Sequence, residues 1–313
     1  MWAPVRCAVV HMVSLPPALA GDPFTLASAA GVLSLYAGLP HHAAAEERPL
    51  LLIHSINAAA SAAEMRPVFE HYRRQRPTYA IDLPGYGCSD RSRRVYSPRL
   101  MTDAVHALVG EVQRRHGATP VDAVALSLGC EYLARAAHEA PAAFRTAALL
   151  SPTGFNRSEP FAGPPGSSRG SSRVHRYLAA PWLGGRLFRG LTRPGVIRYF
   201  LQRTWGAKQI DEALWAYDVL STREPGAEHA PLYFLSGLLF SADISTVYQS
   251  LALPVWMVHG VRGDFVDYRY QAALAGKTNW SFTVMPTGAM PHFEQPDDFF
   301  RRYDAFLALA RAG

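Results

Sequence analysis

The stretch VDAVALSLG, residues 121–129, decides the fold of this chain. Its first six residues are apolar apart from one aspartate and predict a short buried strand, and the alanine-rich residues 130–140 predict a helix. Ser127 lies in the sharp turn between the two, where its hydroxyl is lifted clear of the sheet. The usual pattern for such a nucleophile elbow is Gly-x-Ser-x-Gly. Here Ala125 takes the place of the first glycine, and it is small enough for the strand and the helix to pack closely.

Three more runs predict strands that end in loops: residues 50–54 and 255–260, which have the pattern of buried strands, and residues 281–285. Strands that alternate with helical segments favour an α/β fold with a mostly parallel, doubly wound sheet flanked by helices. In such a sheet, ligands bind at the carboxyl ends of the strands. Asp264 follows the second of these runs and His292 follows the third, so we expect both residues to lie near Ser127.

The three side chains have complementary chemistry. A serine hydroxyl is a poor nucleophile at neutral pH and needs an adjacent base to take its proton. His292 is the candidate base, because a flexible Gly288 precedes it in a loop suited to aiming a side chain. Asp264 is the candidate acid that would hold the imidazole tautomer, and Asp267 is the alternative, since the sequence does not fix the length of the loop. The sequence therefore predicts a catalytic triad of Ser127, His292 and Asp264.

Acyl transfer also requires donors for the oxyanion that develops on the carbonyl oxygen. The backbone N–H of Leu128 is one candidate, because this residue follows the nucleophile at the start of a helix. The backbone N–H of Ile56, in the loop after residues 50–54, is the second. The side chain of Asn57 either donates to the substrate or turns the loop.

Two segments resemble those of the α/β-hydrolases. AIDLPGYGCSD, residues 80–90, is similar to the Asp-x-Pro-Gly-x-Gly-x-Ser segment that follows the fourth strand in that family. HFEQP, residues 292–296, resembles the loop of the family's catalytic histidine. The resemblance covers roughly residues 50–155 and 250–310, and it implies an α/β-hydrolase fold with a serine, histidine and acid triad.

Within the family, the chain looks most like the capped group with a serine nucleophile, which includes small-molecule esterases and meta-cleavage carbon–carbon hydrolases. The oxyanion loop of that group often has the pattern His-Gly-x-Gly-Pro-Gly-x-Ser. The corresponding stretch here is HSINAAAS, residues 54–61, in which Ser, Asn and Ala replace the glycines. The resemblance thus implies a changed backbone path in this loop.

The chain divides into a core and an insertion. We predict a core of residues 23–155 and 251–313, with a helical cap of residues 156–250 inserted between two core strands. Residues 158–173, rich in Gly, Pro, Ser and Arg, predict a mobile loop at its start. Residues 1–22 are predicted to be a leader, either disordered or a signal peptide.

The cap would supply substrate selection. Trp182, Trp215 and Phe240 are predicted to wall an apolar pocket over Ser127, together with Asn57 from the core. The alternative is that these aromatic side chains pack the helices of the cap itself.

The composition limits the classes of function. With 49% hydrophobic and 18% charged residues, the 313-residue chain is typical of a globular protein with a substantial core. The net charge is +6, but no helix shows a continuous basic stripe interleaved with aromatic residues, so we expect no nucleic-acid partner. No run reaches the ~20 apolar residues of a membrane span. The three cysteines, at positions 7, 88 and 130, lack the spacing of a metal site or a disulfide framework. The predicted location is therefore the cytoplasm, or the periplasm or exterior if residues 1–20 act as a signal.

These features predict a cofactor-independent serine hydrolase, with no metal, that cleaves carboxylic esters or related acyl groups through an acyl-enzyme at Ser127. Its partner would be a small-molecule substrate with an apolar portion. One alternative is hydrolysis of a carbon–carbon bond of the meta-cleavage type. The other is a non-catalytic small-molecule binder with the same fold.

Overall fold

A computed structural model describes residues 15–40, 48–156, 160–262 and 265–312. Its eight strands form one sheet in the order β1-β2-β4-β3-β5-β6-β7-β8. The first two strands form an antiparallel hairpin, β2 pairs antiparallel with β4, and the remaining neighbours are parallel. The strands are β1 (Asp22–Ser28), β2 (Gly31–Gly38), β3 (Leu50–Ile53), β4 (Thr78–Asp82), β5 (Val121–Leu126), β6 (Phe144–Leu150), β7 (Val255–Gly260) and β8 (Trp280–Met285).

Helices cover both faces of the sheet. Helices α2 and α3 pack on one face, and α1 and α11 pack on the other. Six helices, α4 to α9, lie between β6 and β7, within the predicted insertion. The helices are α1 (Arg66–Tyr72), α2 (Pro98–His116), α3 (Gly129–Glu139), α4 (Ser172–Leu178), α5 (Gly184–Leu191), α6 (Pro194–Trp205), α7 (Glu212–Ser221), α8 (His229–Leu235), α9 (Ile244–Ser250), α10 (Pro291–Glu294) and α11 (Pro296–Ala312). The predicted fold class is confirmed.

Strand β5 lies in the middle of the sheet, and every residue in it is buried. Ala123 and Ala125 belong to the apolar cluster on the α2 and α3 face, and Val124 and Leu126 belong to the cluster on the other. Successive side chains of a strand point to opposite faces, so a strand covered on both sides needs a continuous apolar run. This is why the run before Ser127 predicts a central strand.

Asp122 is the polar exception in β5. Its carboxylate accepts hydrogen bonds from Arg145 Nε at 2.8 Å and Thr146 Oγ1 at 2.6 Å, and it also pairs with Arg76. Burial alone would raise the pKa of Asp122, but the two guanidinium groups hold it below its ordinary value. This carboxylate therefore ties the sheet together at the strand ends away from Ser127.

The segment that resembles the α/β-hydrolases after β4 is organised by Asp82. Its buried carboxylate accepts the N–H groups of Ala62 (2.8 Å) and Cys88 (2.9 Å) and the hydroxyl of Tyr36 (2.8 Å). Gly87 has a φ of 51°, and a Cβ there would collide with the same carboxylate. The motif thus joins the loop after β4 to the segment that follows the oxyanion loop.

The predicted leader is packed in its described part. Residues 1–14 lie outside the described residues, but Leu15 and Leu19 are buried. The Pro16 carbonyl accepts a hydrogen bond from the Tyr217 hydroxyl at 2.9 Å, which joins this segment to α7. Residues 15–22 are therefore packed against the rest of the protein, and the prediction of a leader over residues 1–22 stays a prediction. None of the described helices combines the length and apolar character needed to cross a membrane.

Candidate active site

Ser127 occupies a strained turn between β5 and α3. Its φ is 51°, in the left-handed region that costs a non-glycine residue about 1–2 kcal/mol. Its N–H donates to the Leu150 carbonyl at 2.8 Å, and its carbonyl accepts the N–H of Cys130 at 3.1 Å. A Cβ at Gly129 would collide with the carbonyl oxygen of His54. Position 129, the glycine of the Ser-x-Gly pattern, thus requires a residue without a Cβ, because α3 lies close to the end of β3.

A cavity of about 350 Å³ lies over this turn. This serine cavity is lined by Ser127, Ile56, Leu128, Glu64 and Ala289, among others. The Ser127 hydroxyl has no hydrogen-bond partner among the described residues. It is therefore available to a bound molecule.

Two backbone N–H groups in the wall of the serine cavity also have no acceptor. Ile56 and Leu128 are 3% and 1% exposed, and neither N–H donates to any group in the described part of the chain. Buried N–H groups without an acceptor are rare in proteins. These are the two groups that the sequence predicts to be oxyanion donors, and their residues line the serine cavity together with Ser127, while the role itself stays a prediction.

Glu64 fixes the loop that carries Ile56. Its carboxylate accepts the Ser55 N–H at 2.8 Å, the Ser55 hydroxyl at 2.9 Å and the Asn57 side-chain amide at 2.8 Å. The Asn57 Oδ1 accepts the N–H of Ala59 at 2.7 Å. Of the two roles left open for Asn57, its side chain serves to turn the loop. Ser55 and Asn57 thus hold this loop through hydrogen bonds to one buried acid.

Glu64 is also an ionisable group in the wall of the serine cavity. Burial raises its pKa to about 7, against the opposing effect of the hydrogen bonds from Ser55 and Asn57. A carboxyl group with this pKa changes protonation near neutral pH. Sequence analysis did not single out Glu64, although a lone acid in the apolar stretch AAEM was a signal of a buried carboxyl group.

His292 is not hydrogen-bonded to Ser127 and does not line the serine cavity. Its ring is fully buried, its Nε2 donates to the backbone carbonyl of Glu64 at 2.8 Å, and its Nδ1 has no partner among the described residues. Burial lowers the pKa of His292 to about 4. The structure therefore does not bring the predicted nucleophile and base together, and the role of His292 as the base stays a prediction.

The loop after β8 presents Ala289 and Met290 to the serine cavity instead. Ala289 is held on both sides, because its N–H donates to the Thr204 carbonyl at 2.9 Å and its carbonyl accepts the Ser151 hydroxyl at 2.8 Å. Gly288 lies against Trp205, where a Cβ would collide with the tryptophan backbone. Helix α6 of the insertion thus holds the part of this loop that lines the serine cavity.

The predicted acid is not placed by the structure. Asp264 lies outside the described residues. Asp267 accepts the Arg269 N–H at 3.2 Å and forms an ion pair with the same residue at 3.3 Å. The choice between Asp264 and Asp267 stays a prediction.

The predicted pocket residues separate into two groups. Asn57 and Phe240 line the serine cavity, whereas Trp182 and Trp215 do not. Trp182 is 57% exposed and packs edge-on against Tyr177, and the Trp215 indole N–H donates to a backbone carbonyl of the insertion. The two tryptophans pack within the insertion, as the alternative interpretation stated. Leu201, Thr204 and Phe234 take their place in the wall.

Arg169 is a charged residue of the serine cavity that sequence analysis missed. It forms an ion pair with Glu131, whose carboxylate also accepts the Thr153 hydroxyl at 2.6 Å, and its guanidinium lies 4.8 Å from the ring of Phe240. Its Nε is buried without a partner among the described residues. Arg169 falls in the stretch that the composition predicts to be a mobile loop.

Within the described ranges, no cluster of three or more His, Cys, Asp or Glu side chains is arranged to hold a metal ion. The residues that line the serine cavity include Ser127, Ile56, Leu128, Glu64 and Arg169. This arrangement suits the stabilisation of an oxyanion next to a serine nucleophile.

Comparison with solved structures shows the same fold in several hydrolases. The carboxylesterase CesB from Bacillus subtilis is 17% identical, with a TM-score of 0.67 over 91% of this chain and 91% of that one. The 2-hydroxy-6-oxo-6-phenylhexa-2,4-dienoate hydrolase from Rhodococcus sp. strain RHA1 is also 17% identical, with a TM-score of 0.67 over 92% and 99%. The enol-lactonase from Burkholderia xenovorans LB400 is 14% identical, with a TM-score of 0.67 over 91% and 99%.

At the level of sequence, no curated protein matches this chain. The family profile described as "Alpha/beta hydrolase family" does match, over residues 50–302. That match includes β3 to β8, the elbow and the loop after β8. The chain therefore belongs to the alpha/beta hydrolase family.

Proposed function

We propose that this protein is a cofactor-independent serine hydrolase that cleaves carboxylic esters or related acyl groups. One observation carries the proposal: the unpartnered Ser127 hydroxyl shares a cavity with the acceptor-free N–H groups of Ile56 and Leu128. A nucleophile and two oxyanion donors are the groups that acyl transfer requires. Family membership supports the same class of reaction.

The proposed reaction has two halves. Ser127 Oγ attacks the substrate carbonyl, and the N–H groups of Ile56 and Leu128 bind the resulting oxyanion. The alcohol then leaves, and water hydrolyses the acyl-enzyme. Loss of one oxyanion donor typically raises the barrier by ~2.7–4 kcal/mol. The Glu64 carboxylate supports this step indirectly, because it fixes Ser55 and Asn57 on either side of Ile56.

Two residues are candidates for the acceptor of the Ser127 proton, and a different argument supports each of them. The sequence favours His292 with Asp264, which requires the imidazole to leave the Glu64 carbonyl. The geometry favours Glu64 itself, because its carboxyl group lines the serine cavity and its Oε2 accepts a single hydrogen bond. Its pKa of about 7 is suited to a general base near neutral pH.

A fluorophosphonate probe and an ester assay test the proposal. The probe should label Ser127, and Ser127→Ala should lose the label and at least about a thousand-fold of the ester turnover, since removal of a serine nucleophile has effects of this size or larger. Ser281→Ala in β8 is the control, since this serine does not line the serine cavity, and it should keep both. Turnover in Ser127→Ala equal to that of the wild type would end the proposal.

A second candidate function is hydrolysis of a carbon–carbon bond in a dienoate. Arg169 favours it, because a guanidinium in the serine cavity is suited to pairing with the carboxylate of such a substrate. Turnover of a synthetic dienoate without any ester activity would support it over the first. Tight binding of a ligand with neither turnover nor probe labelling would instead support a non-catalytic binder.

A further inference from the structure

A second space adjoins the serine cavity. This apolar cleft has a volume of about 270 Å³ and is lined mainly by side chains of the insertion, including Leu191, Ile197, Phe200 and Leu235. Asn57, Leu201, Thr204 and Phe234 line both spaces. The two spaces share part of their walls, so a molecule whose carbonyl lies at Ser127 can extend toward the apolar cleft.

Asp218, on α7, is the one ionisable side chain among the described residues of the apolar cleft. It is 3% exposed, and its Oδ1 is buried without any hydrogen-bond partner in the described part of the chain. Its side chain forms no ion pair there either. Burial raises the pKa of Asp218 well above its ordinary value, and the nearby carboxyl groups of Glu64 and Asp211 add to this effect. Asp218 is thus a polar group in an apolar wall, and no described residue satisfies its Oδ1.

Other buried acids of the described structure have hydrogen-bond or ion-pair partners. The carboxylates of Asp82 and Asp122 each accept at least three hydrogen bonds, and those of Glu131 and Asp243 are each paired with an arginine and a backbone N–H. Burying an unsatisfied polar group destabilises a protein, so native structures contain few of them. The missing partner of Asp218 is therefore expected to come from a ligand in the apolar cleft.

We propose that Asp218 recognises the far end of the substrate, and that the substrate is an acyl compound with an apolar chain that ends in a hydroxyl or an amine. This inference rests on the proposed function for the position of the carbonyl at Ser127. A neutral carboxyl group can both donate to and accept from a hydroxyl. An amine would take the proton of the carboxyl group, and the resulting ammonium and carboxylate would form an ion pair in the cleft.

The test compares p-nitrophenyl esters of equal acyl chain length that end in a methyl, a hydroxyl or an ammonium group. The wild type should prefer at least one polar end over the methyl end by about ten-fold in kcat/KM, the size expected for one hydrogen bond to a buried partner. Asp218→Leu should lose or reverse this preference, and Asp218→Asn should keep it for the hydroxyl but lose it for the ammonium. Glu212→Gln, which removes an exposed acid on the same helix, should keep the preference.

Two outcomes would overturn this proposal while leaving the hydrolase intact: equal turnover of the three esters by the wild type, or a preference that Asp218→Leu retains. A different result would mark failure of the proposed function, namely no ester turnover and no probe labelling at Ser127. In that case, the binding of the polar end by Asp218 is measured by thermal shift. The ligands are the primary amides of the hydroxy and amino acids. The polar-ended amides should raise the Tm of the wild type more than that of Asp218→Leu, and equal shifts would refute the role of Asp218.

The stability of the free protein provides a separate readout. Replacing a buried acid without partners removes an unsatisfied group, so Asp218→Leu should have the Tm of the wild type or a higher one. A purely structural role for Asp218 predicts the opposite, and a clear fall in Tm together with an unchanged ester preference would overturn the proposal.

Discussion

The elbow after β5 and the loop after β8 both follow strands of the sheet, but only the elbow brings its predicted catalytic residue to the serine cavity. Of the two strands, β5 is buried throughout and β8 is partly exposed, and each of the two segments carries a residue with a predicted catalytic role. The elbow brings Ser127 to the serine cavity. The loop brings Ala289 and Met290 there, while His292 lies buried with its Nε2 on the Glu64 carbonyl.

The difference lies in how each segment is held. The elbow is a turn at one residue, fixed by the bonds of Ser127 to Leu150 and Cys130 on the adjacent strand and helix. The loop after β8 runs through several residues, and its position depends on Gly288 and Ala289 packing against Thr204 and Trp205 of α6. The local sequence pattern is therefore sufficient to predict the position of Ser127 in the elbow. It is not sufficient to predict which residues of the loop after β8 line the serine cavity.

The strongest way to sharpen this comparison is to place an imidazole where the loop faces Ser127. In a Glu64→Gln background, Ala289→His should raise the kcat of ester hydrolysis by about a hundred-fold, because a general base in the serine cavity contributes a factor of this order. Steady-state kinetics on a p-nitrophenyl ester measure the effect.

The double variant Ser127→Ala and Ala289→His is the control, and it should be inactive if the new imidazole works through the serine. A folded Ala289→His variant with unchanged kcat in that background would contradict the view that a side chain at position 289 reaches Ser127.

His292 allows a second test, through the pH dependence of stability. Burial lowers its pKa from 6.5 to about 4, so between these values the unfolded chain binds a proton that the folded protein does not. Stability is therefore lost as the pH falls below 6.5. His292→Gln keeps a donor for the Glu64 carbonyl but does not titrate. Between pH 6.5 and 5, the free energy of unfolding of the wild type should fall by about 2 kcal/mol more than that of His292→Gln. Urea titrations at the two pH values measure this difference.

The buried His54, whose pKa is also lowered to about 4, is present in both proteins, so its contribution cancels in the difference. Equal pH slopes would contradict a buried neutral ring at position 292. The same variant should keep ester turnover at pH 7 within about ten-fold, since general-base catalysis is worth more than this. A thousand-fold loss would show instead that His292 accepts the serine proton, as the sequence predicts.

The smallest expected effect extends the comparison to the insertion, where no local pattern fixes which aromatic ring reaches the serine cavity. Phe240→Ala should raise the KM for an apolar ester by about ten-fold, because Phe240 lines the serine cavity and loses apolar contact area with the substrate. Trp182→Ala should change KM by less than about two-fold, because its side chain packs against Tyr177 at the surface. Equal effects of the two substitutions would contradict the observed lining.

Several parts of the candidate site could be predicted from the sequence. The apolar run of β5 followed by Ser127 predicts the elbow, and the loop after β3 predicts Ile56 as a donor. The sequence of the insertion does not show which of its aromatic residues line the serine cavity. Trp182 and Trp215 have the size and character of pocket residues, but helical periodicity does not say which helix face meets the core.

Two acids that the sequence leaves unremarked gain their importance from the folded protein. Asp218 lies among apolar residues of helix α7, whose other acid, Glu212, is its exposed first residue, and Glu64 is the lone acid in a stretch of alanine and methionine. Each pattern indicates a buried carboxyl group. Neither indicates that Glu64 would bind Ser55 and Asn57, or that Asp218 would have no partner.

The sequence by itself determined the order of strands and helices, the class of sheet and the strained turn at Ser127. These features depend on the alternation of apolar segments and on backbone sterics within a few residues. Only the folded structure shows that Ala289 lines the serine cavity, that His292 is buried and that Asp218 lines the apolar cleft. The physical reason is that each of these positions depends on close packing between segments far apart in the chain, which no local pattern encodes.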